Sequence, residues 1–389
     1  MRKRLPLALL LAFPLSVGFW AQETQSPSIL SALNADVTTL FTSIGRDVTP
    51  RLYQMAMSGN DLVGEARIGG FTRVTLSVAG LSLTTMDGIA RVLGSSDPEL
   101  WKFSLVSLPS AIQGGLSFAG SMAADGFSMA TGAAFGLPNL RFGIGLPLPF
   151  GLEFLGNGFY LSRSILEQVT QTAGLSLPVD LDGLGVELEM LTAGGILRKT
   201  IFSEARGLLW PSVSIGASYT YSKFDFAVDN FSLGALGMDP YPVSGLGTLE
   251  LDGNLGFHTE VQSYGVVFHV SKTLLWFMTP FAKAGAYYHV SDYRSAFNVT
   301  ATITPTPTDP PAVPAPDPIT QSLDAPVILH EENISLIASA GLEVKILPVT
   351  LTVCASLDLD RPVVEFTAPV LNGFKVNGLG VTAALRIQI

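Results

Sequence analysis

The chain has 389 residues, of which 48% are hydrophobic and 14% charged, with 22 Lys and Arg against 32 Asp and Glu for a formal net charge of −10. So acidic a chain lacks the basic footprint of a nucleic-acid-binding protein, and its one cysteine, Cys354, excludes an intramolecular disulfide. The charged fraction is well under the average of about 25%, yet no uninterrupted apolar run of about 20 residues follows the N-terminal region. Phe103 to Ala124 carries no charge but is interrupted by Pro109, Gln113 and several Gly and Ser. Only helices and closed sheets satisfy their backbone groups in lipid, so a hydrophobic chain without spanning helices points to a closed sheet.

In chain order, Arg2, Lys3 and Arg4 precede an apolar run from Leu5 to Trp20 and then Ala21-Gln22, the pattern of an export signal with expected cleavage after Ala21. From residue 22 to 62 the period changes. Ile29, Leu30, Leu33, Val37, Leu40, Phe41 and Ile44 recur at three and four, which predicts an amphipathic helix. Ser26 or Ser28 can cap it, Pro50 suits the start of a second short helix through Tyr53 and Met57, and Ser58-Gly59-Asn60 stops it. This element is expected either as a plug or as a cap at the periplasmic mouth.

Residues 63–389 read as strands. The candidates number about twelve, within a range of 10–14, and centre near residues 70, 115, 131, 144, 155, 192, 217, 265, 284, 340, 354 and 384. The last three are the clearest. Ile334, Leu336, Ala338, Ala340, Leu342, Val344 and Ile346 alternate with polar or small residues, with Ile337 as the exception; Leu351, Val353, Ala355, Leu357 and Leu359 repeat the parity, as do Val381, Ala383, Leu385, Ile387 and Ile389. Such alternation over about ten residues is expected of strands with lipid on one side and a polar lumen on the other. The fold class is therefore all-β: a transmembrane antiparallel barrel with a short helical N-terminal element.

Short connections at Pro147–Gly151, Lys199–Pro211, Lys272–Trp276 and Leu347-Pro348 mostly alternate with long ones, among them Asp225 to Glu260 and the longest at about 292–330, tipped by the Pro-rich segment Thr304 to Pro318; the short connection near Leu137 to Asn139 is the exception. Trp210, Trp276 and Phe277 fall at the short turns, and Tyr219, Tyr221 and Tyr288 fall on outward parity about a strand away, as two interfacial aromatic belts require.

Inward parity assigns His269, Lys283, His289, Glu343, Asp358, Asp360 and Arg386 to the lumen, either as a path of opposite charges or as the paired polar filling of a small barrel. No motif supports an enzyme, a cofactor or a metal. His330-Glu331-Glu332 lacks the second histidine of a zinc helix, Asp358-Leu359-Asp360 suits a solvated strand end, and Ser263 or Ser271 near His269 is too little for a hydrolase.

The helical prefix LNADVTTLFTSIGRDVTPRLYQ, the midchain LPNLRFGIGLPLPFGLEFL and the later WPSVSIGASYTYSKFDF resemble an uncharacterised family of outer-membrane barrels of spirochaetes and Bacteroidetes. More loosely, the chain looks like the outer-membrane transporters of long-chain fatty acids, whose N-terminal hatch sits in a barrel. These resemblances imply a channel or transporter for small polar or hydrophobic solutes in the outer membrane. The alternative is a surface adhesin whose barrel anchors external loops. Expected partners are outer-membrane lipid, the barrel assembly machinery through the C-terminal strand, and a small or hydrophobic solute.

Overall fold

A computed structural model of the chain describes residues 63–66, 75–83, 141–165, 186–204, 210–229, 241–243, 247–304, 317–346, 349–360, 363–365, 375–377 and 379–388, with helical positions between 38 and 57. The expected export signal, the strand candidates near 115 and 131, and most of the Pro-rich segment lie outside the described residues.

The chain folds as an antiparallel sheet. Its strands are β1 (Thr75–Leu83), β2 (Arg141–Pro147), β3 (Leu152–Ser162), β4 (Val186–Phe202), β5 (Ser212–Val228), β6 (Tyr241–Val243), β7 (Gly247–Ser271), β8 (Met278–Thr304), β9 (Ile319–Asp324), β10 (Val327–Ile346), β11 (Val349–Asp358), β12 (Val363–Glu365), β13 (Lys375–Asn377) and β14 (Leu379–Gln388). Among the described residues, pairing runs β7-β5-β4-β3-β2-β1-β14-β11-β10-β8, and β8 pairs back with β7, which closes a ring of ten strands. β6 and β9 extend the sheet at the far ends of β7 and β8, and β12 pairs with β13.

The register fixes the dimensions of that ring. A row of paired residues leaves β10 at Ile346, passes through Val349, Ile387, Leu76, Ile144, Gly156, Gly195, Tyr219, Tyr264 and Tyr288, and returns to β10 at Ile334. The stagger is twelve residues. Ten strands about 4.8 Å apart with about 3.3 Å per staggered residue give a tilt of about 40° and a backbone diameter of about 20 Å.

Exposure alternates along the wall as a closed sheet demands. On β5, Ser214, Ser218, Thr220 and Ser222 are buried inside while Ile215 and Tyr219 face out. On β10 and β11, Ser335, Ser339, Glu343, Thr350, Thr352, Cys354 and Ser356 are buried while Ile334, Leu336, Leu351 and Val353 are exposed. At the end carrying the short turns, Phe150, Trp210 and Trp276 are the most exposed aromatics, at 91%, 68% and 78%. Phe150, Leu275 and Trp276 adopt left-handed backbone conformations there, at a cost of roughly 1–2 kcal/mol per residue. The tight turns thereby hold large apolar side chains outward.

Two connections are shorter than the sequence suggests. In place of a break from 292 to 330, β8 continues to Thr304 against β7, and β10 begins at Val327; likewise β5 reaches Val228 and β7 begins at Gly247. The reason is physical. Beyond the tyrosine row both faces of these strands carry polar residues, so apolar alternation fades while the backbone ladder continues.

Candidate functional site

A ring about 20 Å across, lined by side chains, has room for about one helix of 10–12 Å diameter. Backbone positions Thr38, Thr39, Phe41, Thr42, Gly45, Arg46, Thr49, Pro50, Leu52, Tyr53 and Met57 are helical, and Val63 to Ala66 follow in extended or bent form. Phe41, Leu52, Tyr53, Met57, Val63 and Ala66 are buried. The partners of Phe41, Tyr53, Val63 and Ala66 lie on the inner wall.

At the end away from the short turns the surroundings are aromatic. The Phe41 and Phe297 rings lie 5.6 Å apart, Gly45 rests on the ring of Tyr293 so closely that a Cβ would come within 2.6 Å of it, and Phe257 packs against Phe224 and Phe226. Arg46 reaches Glu331 at 3.3 Å on the exposed rim. Midway, Tyr53 stacks on His289 and donates its hydroxyl hydrogen to Asp358 Oδ2 at 3.1 Å.

Toward the short turns the lumen becomes ionic. The Gly64 N–H donates to Glu343 Oε2 at 2.8 Å, the Ala66 N–H donates to Ser271 Oγ at 2.8 Å, and His269 Nε2 donates to the Gly64 carbonyl at 2.9 Å. With its Nε2 donating, His269 accepts at Nδ1 from Arg198 Nη1 at 3.1 Å, which requires the neutral Nε2–H tautomer. Arg198 Nε also donates to Glu153 at 2.8 Å, and Arg386 Nη2 to Glu343 at 2.6 Å. Glu65 pairs with Lys345 and lies 4.0 Å from Arg386. An unpaired charge here would cost several kcal/mol; Glu65 joins the segment to the wall, while Arg198–Glu153 and Arg386–Glu343 join wall strands to each other.

Six of the seven residues assigned to the lumen by parity, namely His269, Lys283, His289, Glu343, Asp358 and Arg386, are buried on the inner face. Asp360 sits in the exposed turn after β11, where its carboxylate accepts from the Leu336 N–H at 2.7 Å. His269, Glu343 and Arg386 come together around Val63–Ala66, and His289 and Asp358 around Tyr53. Glu65, Glu153, Arg198 and Lys345 complete the ionic cluster without having been singled out from sequence. Lys345 and Glu343 share a parity that was legible, whereas Gly156, Gly158, Gly194 and Gly195 blurred it around Glu153 and Arg198.

Of the two serines near His269 in sequence, Ser271 accepts from the Ala66 N–H and Ser263 lies against His289. His289 binds Ser263 Oγ through Nδ1 at 2.7 Å and Ser335 Oγ through Nε2 at 2.6 Å. Both ring nitrogens of His289 thus face hydroxyls.

No family model matches the chain, and no curated protein matches it. Solved structures similar to it include the transport unit of the autotransporter AIDA-I from Escherichia coli, at 8% identity and a TM-score of 0.25 over 88% of this chain and 98% of that one. The toluene transporter TodX of Pseudomonas putida follows at 7% and 0.22, over 81% and 88%. A Pseudomonas aeruginosa FadL homologue stands at 10% and 0.19, over 81% and 88%. At such TM-scores these likenesses carry no argument about function.

Proposed function

We propose that the protein is an outer-membrane β-barrel channel or transporter whose lumen is closed by its own N-terminal segment. The observation that carries this reading is the set of buried contacts from Phe41 to Ala66 onto the inner faces of β7, β8, β10 and β11. The outer surface supports the membrane: apolar Ile144, Leu146, Phe154, Leu197, Val266, Phe268, Leu336 and Val353 face outward between the Trp-bearing turns and the tyrosine row, as in a lipid-facing band flanked by aromatic girdles. A barrel of about eight strands is filled by its own wall side chains, whereas this ring of ten leaves room for a further element. A second filling element with its own salt bridges is better explained by closure of a passage. The solutes that suit this reading are small, polar or hydrophobic.

One observation favours the surface-interaction alternative. β7 and β8 have 25 and 27 residues, against about 9–11 needed to cross the bilayer, so a wall of sheet projects beyond the tyrosine row and offers a surface to external partners.

Single-channel recording separates the two. The full-length chain in a planar bilayer should show rare openings, and Tyr53→Ala frequent ones. Equal, negligible conductance from both folded proteins would favour the projecting wall as the functional part.

A further inference from the structure

We infer that Glu65 is a tethered stand-in for an anionic solute, and that the passage it closes selects oxyanions such as carboxylates or phosphates. The inference rests on the closure reading above and names the chemistry of what passes. Glu65 is the one carboxylate of the ionic cluster carried by the N-terminal segment among the described residues; Glu153 and Glu343 belong to the wall. Its carboxylate bridges Lys345 and Arg386 at the mouth with the short turns, and Arg198 lies within electrostatic reach of it.

When the segment withdraws, Glu65 leaves with it. Among the described residues the wall then presents Arg198, Arg386, Lys283 and Lys345 against Glu153 and Glu343, an excess of two positive charges. Asp358, a further buried acidic group among the described residues, lies at the opposite end of β11. The ring also holds unused donors. Arg386 is fully buried and spends only Nη2 on Glu343, leaving Nε and Nη1 without partners, and Nη2 of buried Arg198 is likewise unpartnered. Buried guanidinium N–H groups are planar forks matched to carboxylate and phosphate oxygens. A free oxyanion can occupy the position that Glu65 vacates, so its arrival and the segment's departure are two sides of one exchange.

The test uses full-length protein in planar bilayers with a roughly tenfold KCl gradient, where Glu65→Gln should open often and favour chloride over potassium by roughly threefold or more. Lys345→Gln, combined with Glu65→Gln, should reduce that preference. Independently of any variant, acetate and inorganic phosphate added to the wild-type protein should each raise its open probability above sodium chloride of equal ionic strength. A response to acetate alone assigns a carboxylate, and to phosphate alone a phosphate. Openings with potassium preference in Glu65→Gln, or a wild-type protein indifferent to both oxyanions, would overturn the inference and leave closure standing. No openings from any variant, under any salt, would overturn the closure reading itself.

Discussion

The ring of Tyr53 lies on the imidazole of His289 with centroids 3.9 Å apart and planes 13° from parallel, and its hydroxyl reaches Asp358, two strands away on the wall. One side chain of the N-terminal segment thus engages β8 and β11 together, while His289 is fixed from beneath by Ser263 and Ser335. Tyr53→Phe keeps the stack and removes only a hydrogen bond to a carboxylate, worth about 1.5–3 kcal/mol. Tyr53→Ala removes both. Opening should rise modestly in the first and strongly in the second, while the heat-modifiable gel shift of the folded barrel persists in both. Loss of that shift in Tyr53→Phe would mean that the segment is part of the wall's stability.

Glycines on the inner wall carry aromatic rings. Gly341 lies against Phe281, with the Val353 carbonyl close on another side, so a Cβ would press on backbone as well as ring. Gly341→Ala should destabilise the barrel by about 1–3 kcal/mol through overpacking, read as a lower midpoint of heat modification. Gly64→Ala meets the same Phe281 ring from the segment side, and should loosen the segment while leaving that midpoint nearly unchanged.

Outward parity predicts a depth-dependent penalty. Arg in place of Leu351 or Val353, both exposed in the apolar band, should cost about 2–4 kcal/mol near the midplane and block assembly. Asn in place of Thr352, between them and turned inward, should assemble normally. Equal damage from both faces, measured by the yield of folded barrel, would contradict the membrane reading.

Beyond the tyrosine row, the Asp292 carboxylate hydrogen-bonded to His330 at 2.9 Å holds its imidazole above the ordinary histidine range, with the charges of Asp292 and Glu332 acting in the same sense. A raised folded value means that the pairing favours the projecting wall fully below the ordinary histidine range and ceases to do so as pH rises through the raised value. NMR titration of the His330 ring should show an elevated midpoint that falls in Asp292→Asn. An unchanged midpoint in that variant would remove Asp292 as the cause.

Much of the wall was legible in the sequence because a closed sheet with an apolar outer face and a polar inner face imposes period two. Leu351, Val353 and Leu385 face outward, and Thr352, Cys354 and Arg386 inward, as alternation requires. The same rule failed where its cause is missing. Past Tyr288 the outward positions include Asp292, Arg294, Asn298 and Thr300, so apolar alternation is lost and the continuation of β8 to Thr304 looked like loop. Inside, Phe281, Tyr287 and Phe297 occupy inward positions that a polar lumen would not predict; they fit because Gly341, Gly265 and Gly285 make room for Phe281 and Tyr287 and because Phe41 covers Phe297. The prefix revealed its helical period but not its destination, since an apolar stripe is satisfied equally by a lumen or a membrane surface. Pairings such as Glu65 with Lys345 are set by barrel closure and leave no mark in the local sequence.

Cys354 reports directly on whether the N-terminal segment fills and seals the lumen. It is the only thiol in the chain, is 2% exposed, and sits on the inner face of β11 four residues from the Asp358 that holds Tyr53. With the full-length protein refolded into vesicles, a water-soluble maleimide should label Cys354 very slowly in the wild type and many-fold faster in Tyr53→Ala combined with Glu65→Gln, both remaining folded. Labelling of the wild-type barrel as fast as that of the urea-unfolded chain would contradict a sealed lumen.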